Sequence, residues 1–298
     1  MKSQANLAAL RALEAAERLH SYSLAAQELF LTHSAVSHQI RQLETMIGAP
    51  LFVRSGNSMR PTAACRRLAA SLRRSLHDID TALRLAATAD NGATLPLELS
   101  AMSDLADAWL IPKLGEFTDA HPGVRFSLRR HADIASPDPA SVDIGIWHRP
   151  VELRGFRSVR LPEDTVIAVC SPELLTRYPG LTADTLPDAP LLHFGTRSWR
   201  EFLEAAGCAD AEPSADVTFT DAGGLLGAAL AGRGVAMIRT LIATPYLDTG
   251  RLLRIGDIEI PAHLGYFVTW REDHPRAADI TAFSDWLCAQ LSAGDRRR

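Results

Sequence analysis

The sequence predicts two kinds of structure in one chain: an N-terminal all-α winged helix-turn-helix unit extended by a long linker helix, and a larger C-terminal α/β domain. Three observations support this division. Apolar residues recur at helical spacing through residues 7–86. From residue 95 onwards, short strand-like and helix-like segments alternate. Between them lies a small, polar, glycine-containing stretch, residues 87–94, which is typical of a linker.

The first part of the chain, residues 1–62, is predicted to form the winged unit. An amphipathic helix is expected from Leu7 to Leu19. Ser23 is the predicted N-cap of a short helix over residues 24–29, where paired alanines let a second helix cross closely. Residues 30–31 then turn the chain towards the next helix.

That next helix is predicted from His33 to about Met46, with Thr32 as its cap and Gly48 as its end. Its buried face is formed by apolar residues at spacings of four and three: Val36, Ile40 and Leu43. The opposite face is rich in hydrogen-bond donors, and the major groove of DNA is wide enough to admit such a helix. We therefore predict DNA contacts from Thr32, His33, Ser34, Ser37, His38 and Arg41.

A short strand, residues 49–54, is predicted to lead into a wing, residues 55–60. Arg54 and Arg60 stand at the ends of a Gly/Asn/Ser turn that contains Asn57, where they can grip a flanking phosphate or the minor groove. A solvated face of a small helical bundle would show the same residue types. The order of the parts, from amphipathic helix to helix-turn-helix to wing, favours DNA binding.

The distribution of charge agrees with this interpretation. The chain has 298 residues, of which 47% are hydrophobic and 22% charged, a composition that excludes disordered and membrane classes. Its net charge of −4 is uneven, because residues 1–90 hold 11 Lys and Arg against 7 Asp and Glu, and the remainder carries −8. A basic head on an acidic body is typical of a DNA-binding domain joined to a different one.

The cysteines and the N-terminus point to an intracellular protein. No secretory signal and no apolar run of bilayer length are recognisable, so we expect a cytoplasmic, nucleoid-associated protein. The cysteines lie far apart and form no Cys-x-x-Cys pair, so neither a disulfide framework, a metal site nor a cofactor is expected. They are Cys65, Cys170, Cys208 and Cys288.

Residues 63–94 are predicted to form a linker helix followed by a hinge. An apolar stripe with spacings of four and three runs along the helix, and a second copy of the same helix is the simplest partner for it. The stripe predicts a two-fold dimer and hence a palindromic DNA site. Its predicted dimerisation residues are Leu68, Leu72, Leu76, Ile79 and Leu83.

The C-terminal part, residues 95–298, is predicted to hold mostly parallel strands with helices between them. The predicted strands cover residues 95–100, 124–129, 142–147, 165–170, 191–194, 217–220, 235–238 and 265–269. The predicted helices cover residues 105–120, 172–178, 199–206, 225–231 and 277–291. Ligands in such folds bind at the carboxyl ends of strands, in a cleft.

Three predicted strand ends carry residues suited to a ligand, all but the methionine polar or aromatic: Ser100, Met102, Ser103, Trp147, His148, Thr220 and Asp221. A helix N-terminus beside Ser103 favours an anionic ligand group, whereas Asp104 and Asp221 oppose one, so the charge of the ligand stays open. Ser103 or Asp104 could instead serve only as a cap for the following helix.

An enzyme is the main alternative, but the sequence holds no constellation that would carry its chemistry. A Gly-x-Ser-x-Gly elbow, a phosphate loop and a His-Glu-x-x-His motif are all missing. The stretch Gly223-Gly224-x-x-Gly227 has the wrong spacing for a dinucleotide loop and indicates close helix packing. Neither an enzyme nor a freestanding ligand-binding protein would explain residues 20–60.

Two motifs, together with the helix after Ser23, carry a resemblance to a known family: Ser34-Ala-Val-Ser-x-Gln-Ile-x-x-Leu-Glu and Leu51-Phe-x-Arg. On these residues the chain resembles the LysR-type transcriptional regulators over nearly its whole length. It is similar in detail to the branch that contains the glycine-cleavage and beta-lactamase gene activators, in which a histidine at the position of His38 commonly replaces the family's arginine. The resemblance implies a transcription factor that binds double-stranded operator DNA.

The resemblance also implies the organisation of the C-terminal part. It divides into two subdomains, residues 95–162 with 268–298 and residues 163–267, like a periplasmic binding protein. A small-molecule effector would bind between them, at the strand ends named above together with Phe194, Thr196 and Tyr266. The further partners expected are a second or further copies of the chain, as a homodimer or homotetramer, and RNA polymerase.

Overall fold

The computed structural model describes residues 6–55, 58–88, 95–131, 139–195, 197–210 and 217–295. The chain divides into two compact units, of which the first runs to Leu95 and the second begins at Pro96. Asn57, Thr196 and most of the predicted hinge lie outside the described residues. No helix in the described ranges is long and apolar enough to cross a membrane.

The first unit is helical apart from one antiparallel hairpin, which is the predicted wing. Its described elements are α1 (Leu7–Arg18), α2 (Tyr22–Glu28), α3 (His33–Ile47), β1 (Phe52–Ser55), β2 (Ser58–Pro61) and α4 (Ala63–Thr88). The apolar face of α3 is buried as predicted, with Val36, Ile40 and Leu43 in a core shared with α1 and α2. This packing leaves the polar face of α3 towards solvent.

The predicted cap of α2 was wrong. Ser21 is the N-cap, and its side chain accepts a hydrogen bond from the backbone N–H of Leu24 at 3.2 Å, whereas Ser23 lies inside the helix. Both serines can cap, but only Ser21 has the extended backbone of a cap residue. The ends of α3 agree with prediction, because Thr32 accepts from Ala35 N–H and Gly48 ends the helix in the left-handed conformation.

The apolar stripe of α4 is divided between two environments. Leu72 and Leu76 are each 8% exposed and belong to the core of the first unit, and Leu68 packs partly against it. Ile79 and Leu83 are 38% and 61% exposed. The interpretation that the whole stripe requires a second subunit is therefore corrected, because α1 of the same chain already covers its first part.

The second unit holds two sheets. Its strands are β3 (Leu97–Met102), β4 (Phe126–His131), β5 (Ile144–Trp147), β6 (Phe156–Arg160), β7 (Thr165–Cys170), β8 (Leu191–Phe194), β9 (Thr218–Phe219), β10 (Val235–Arg239), β11 (Leu253–Arg254), β12 (Ile260–Pro261) and β13 (Phe267–Arg271). Its helices are α5 (Ser103–Leu105), α6 (Ile111–Ala120), α7 (Pro172–Arg177), α8 (Arg200–Ala205), α9 (Ala222–Leu230), α10 (Thr240–Asp248) and α11 (Ala277–Asp295).

Both sheets are mixed, so the prediction of mostly parallel strands was wrong. The first sheet has the order β4-β3-β5-β13-β6, and β13 runs antiparallel to both of its neighbours. The second has the order β11-β7-β10-β8-β9, with β10 antiparallel to β7 and parallel to β8. The reason is that the chain leaves the first sheet after β6, builds the second, and returns as β13 from the opposite direction.

This topology brings one edge of each sheet together. Strands β3 and β5 end, and β13 begins, at the same edge of the first sheet. Strands β8, β9 and β10 are parallel and end at one edge of the second. Helix α5, which follows β3 directly, contacts α9 and α10 of the second sheet. The carboxyl ends of strands from both sheets therefore face a common region.

Candidate nucleic-acid interface and ligand cleft

The polar face of α3 is a set of donors held in a fixed arrangement. The Arg41 guanidinium donates through Nη2 to Ser37 Oγ at 2.9 Å and through Nε to the Ser37 carbonyl at 3.3 Å. His38 Nε2 lies 3.1 Å from the amide nitrogen of Gln42. These contacts lie along one exposed face of the helix. The predicted residues Ser37, His38 and Arg41 are therefore grouped as expected.

The wing is fixed to α3 by a carboxylate. Glu44 Oε1 accepts from the backbone N–H groups of Leu51 and Phe52 at 2.8 and 3.2 Å. Tyr22 packs edge-to-face against Phe52 at 5.2 Å and lies 6.0 Å from the His33 ring, so His33 is placed against α2. The start of the wing hairpin and the polar face are therefore both held by α3.

The arginines of the first unit fall into two groups. Arg11 pairs with Asp80 at 2.5 Å and Arg73 with Glu17 at 2.8 Å, and both pairs join α1 to α4. Arg41, Arg54 and Arg60 are exposed, and in the part of the chain that the structure describes they form no ion pair. Their positive charges are available to an anionic partner such as a nucleic-acid backbone.

In the second unit, Tyr266 lies at the centre of the region where the strand ends meet. Its hydroxyl donates to Asp104 Oδ2 at 2.9 Å. Its ring stacks on His148 at 4.7 Å, and the guanidinium carbon of Arg239 lies 4.5 Å from the ring centre. Burial raises the pKa of Tyr266 well above its ordinary value, with Asp104 adding to the effect, so the phenol remains a donor.

Arg239 is held by both segments that connect the two sheets. Its Nη2 donates to the Leu264 carbonyl, and its Nη1 lies 3.8 Å from Asp164 Oδ2, with each side chain 10% exposed. Asp164 Oδ1 accepts in turn from the backbone N–H groups of Thr165 and Leu241 at 2.9 and 3.2 Å. The pair therefore connects the two crossover segments to the start of α10.

Two further groups in this region, Arg197 and His148, are subject to the charge of Arg239. Arg197 follows β8 and is half-buried; burial lowers its pKa first, and the charge of Arg239 lowers it further. His148 shows the same order of causes, burial and then Arg239, and its pKa also lies below the ordinary value. Its Nδ1 lies 3.2 Å from the Gly265 carbonyl. We call Asp104, His148, Asp164, Arg197, Arg239 and Tyr266 the cleft cluster.

Comparison with known proteins decides the family. Residues 7–66 match the model described as bacterial regulatory helix-turn-helix protein, lysR family, and residues 90–292 match the LysR substrate binding domain. The chain belongs to the LysR family. It is a transcriptional regulator with an effector-binding domain, and its relatives are named as regulators rather than enzymes.

Among the relatives of this LysR-type regulator is the glycine cleavage system transcriptional activator of Escherichia coli K12, 30% identical over 96% of this chain and 94% of the relative. The regulator TrpI of Pseudomonas aeruginosa is 34% identical over 96% and 98%. The solved structure of full-length LysG from Corynebacterium glutamicum with bound effector Arg shares the fold, with a TM-score of 0.60, 19% identity and coverage of 96% and 98%.

The LysR-type cleft differs in part from the predicted residue set. Ser100, Met102, Trp147 and Tyr266 are each 5% exposed or less, so in this conformation they offer almost no surface to a ligand. Ser100 Oγ lies 3.2 Å from His131 Nδ1, and the Trp147 ring occupies the space beside Gly145 where a Cβ atom would stand. The side chains at these strand ends point into the core. The position of a residue at a strand end does not by itself predict the direction of its side chain.

Other predicted residues remain near the cleft edge. Ser103 is half-buried and Thr220 is exposed, and neither caps a helix. Asp104 accepts from Tyr266, and Asp221 caps α9 by accepting from Gly224 N–H at 2.7 Å. The glycine at position 224 matters here because a Cβ atom would come within 3.2 Å of that carboxylate. Phe194 is half-buried against the core.

The sequence prediction missed Arg197, Arg239 and Asp164. Arg239 had a usable signal, because it directly follows the apolar run Val235–Ile238 and so places a charge at the end of a buried strand. Asp164 and Arg197 lie in short connections and carry no comparable pattern. Among the described residues, no group of three or more His, Cys, Asp or Glu is arranged to hold a metal ion.

Proposed function

We propose that this LysR-type regulator binds a palindromic operator as a dimer or tetramer and responds to a small effector that binds between its two subdomains. The observation that carries DNA binding is the contrast between paired and unpaired arginines in the first unit. Guanidinium groups on α3 and the wing that form no ion pair would supply base and phosphate contacts from one surface. The operating compartment would be the cytoplasm, at the nucleoid.

The test is operator binding by a variant of α3. A bound sequence is first selected from a random DNA library with the wild-type protein. Arg41→Ala should then lose about 1–3 kcal/mol of specific binding, because a paired base edge loses its donor, while folding is retained. Arg125→Ala removes an exposed arginine of the second unit and serves as the matched control. Unchanged affinity of Arg41→Ala for the operator would refute the assignment of this face.

For the dimer, we propose Ile79 and Leu83 as the contact with a second copy of α4. They lie four residues apart on one exposed stripe and do not belong to the core of the first unit. Leu83→Asp would set two like charges against each other in a packed seam, at a cost of several kcal/mol, and should shift the protein towards monomer in light scattering. Ala70→Asp adds the same charge at an exposed position of α4 and should leave the oligomer intact.

The effector site is proposed for the cleft cluster and the accessible residues beside it, Ser103 and Thr220. The fold is shared with LysG, whose structure contains a bound effector, and the strand ends of both sheets meet here. An effector must favour one arrangement by about 1–3 kcal/mol to change regulation. The double variant Ser103→Ala, Thr220→Val should bind the operator but lose its response to inducing conditions; a normal response would exclude this region as the sensor.

Contact with RNA polymerase is proposed for the turn between α2 and α3. Phe30 is 95% exposed and holds a left-handed backbone, an unusual combination for a large apolar residue. Phe30→Asn removes the ring with a residue that tolerates this backbone. It should bind the operator normally and lose activation of transcription in a reconstituted assay. Full activation of transcription by this variant would show that the turn is not the contact with RNA polymerase.

A further inference from the structure

The cleft cluster holds two guanidinium groups, Arg197 and Arg239, and only Arg239 has a bonded partner in the described chain. Arg239 lies 3.8 Å from Asp164, and Asp104 accepts the hydroxyl of Tyr266. Arg197 has no such partner: among the described residues, its guanidinium makes no hydrogen bond and no ion pair. Two carboxylates, those of Glu201 and Asp164, act favourably on its charge without bonding to it, and Glu201 is itself bonded to His263 at 2.7 Å.

The position of Arg197 is unfavourable for the protein alone. The side chain is half-buried, and its charge is opposed by the neighbouring charge of Arg239. A guanidinium has five donors and cannot lose its proton at ordinary pH, so it cannot relieve this opposition by becoming neutral. An anion placed against it would satisfy the donors and offset the repulsion together.

The rest of the cluster is already committed to internal contacts. Arg239 donates to the Leu264 carbonyl and covers the ring of Tyr266, and the Tyr266 hydroxyl is directed to Asp104. His148 is favoured in its neutral form by burial and by Arg239. Within the described part of the cluster, Arg197 is therefore the cation whose side chain makes neither a hydrogen bond nor an ion pair.

We propose that the effector of this protein carries a carboxylate or another oxyanion, and that Arg197 binds this group. The inference rests on the proposed effector cleft and adds the chemical class of its ligand. The planar guanidinium fork suits a two-oxygen acid group, and Ser103 and Thr220 are left for neutral polar parts of the molecule.

A first measurement requires no effector. Arg197→Gln keeps much of the length of the side chain and removes its charge. In urea unfolding at low ionic strength, this variant should be at least as stable as the wild type, because the repulsion with Arg239 is gone. Arg200→Gln removes an exposed arginine of neighbouring α8 and is the matched control. A clear loss of stability specific to Arg197→Gln would make Arg197 a structural group and overturn the proposal.

A second measurement uses sulfate and succinate as oxyanion probes, with chloride at equal ionic strength and succinamide as a neutral analogue of succinate. The wild type and Arg200→Gln should show a saturable rise in melting temperature with an oxyanion probe and none with succinamide. In Arg197→Gln the apparent affinity should fall by about tenfold or more, since a charged hydrogen-bonded pair is lost. An equal saturable response in Arg197→Gln, or none in the wild type with either anion, would overturn the proposal.

Gel shifts on the selected operator separate this inference from the proposed function. Arg197→Gln and Arg200→Gln should both bind operator DNA without added anion as the wild type does. If the operator is bound but the anion response fails, only the ligand class is refuted. If the wild type selects no operator at all, the proposed function fails irrespective of the anion measurements.

Discussion

The exposed surface formed by α3 and the wing and the cleft of the second unit use arginine in different ways. In the first unit, Arg41, Arg54 and Arg60 are exposed and form no ion pair within the described residues. In the cleft of the second unit, Arg239 is 10% exposed and bonded to a carbonyl, and it lies near a carboxylate and over an aromatic ring. The same side chain is therefore accessible to a partner in one region and is part of the framework in the other.

Burial determines whether an arginine can bind an external partner or must be bonded within the protein. An exposed guanidinium stays hydrated, so leaving it without a partner costs the folded protein little free energy. It can bind the phosphate backbone of DNA, and counterions are then released from the DNA. A buried guanidinium must be satisfied internally or by a single ligand, because an uncompensated charge is expensive away from water. Arg197 lies between these cases, half-buried and without a bonded partner in the described chain.

The largest effect is expected from Arg239→Ala. It removes the donor to Leu264 and leaves Asp164 buried without its cation, so the second unit should lose about 3–5 kcal/mol of stability. Urea unfolding followed by the fluorescence of the second unit would measure this loss. The control is Arg251→Ala, an exposed cation over Tyr246 at 5.2 Å, which should cost about 1 kcal/mol or less. Equal losses of stability in the two variants would show that the buried Arg239 contributes no more to stability than an exposed arginine.

An intermediate effect is expected from the wing. Arg54→Ala and Arg60→Ala should each weaken DNA binding by a similar factor on every sequence, because phosphate contacts carry no sequence information. Each should also make the slope of log affinity against log salt shallower by about one. Titrations at four salt concentrations would measure both quantities. A loss confined to the operator would instead indicate base contacts from the wing.

The smallest effect concerns His148. Its pKa is lower in the folded chain, by burial and by Arg239, so the unfolded chain binds its proton more tightly. The stability that the neutral ring contributes is therefore present above the ordinary histidine pKa of about 6.5 and is lost as the pH falls below it. Unfolding of the wild type and His148→Gln between pH 8 and about pH 5 should show a steeper loss for the wild type. Parallel curves would show that His148 is not held neutral.

Much of the first unit was predictable because its signals are local. Thr32 and Gly48 mark the ends of α3 by backbone chemistry that involves only neighbouring residues, and the spacing of Val36, Ile40 and Leu43 fixes the buried face. The displaced cap of α2 shows the limit of such signals. Two serines close together offer the same chemistry, and the choice between them depends on how α2 docks in the core.

The sequence by itself determined the order of the parts, the separation of basic and acidic regions, and the helix face that reaches solvent, because each follows from composition or from a period of three to four residues. Only the tertiary structure decided which part of the α4 stripe is free, that the sheets are mixed, and which charges meet in the cleft. Arg239, Asp164 and Tyr266 lie on segments far apart in the chain. Their contact exists because the chain crosses twice between the sheets, and a long-range crossing leaves no periodic pattern in the sequence.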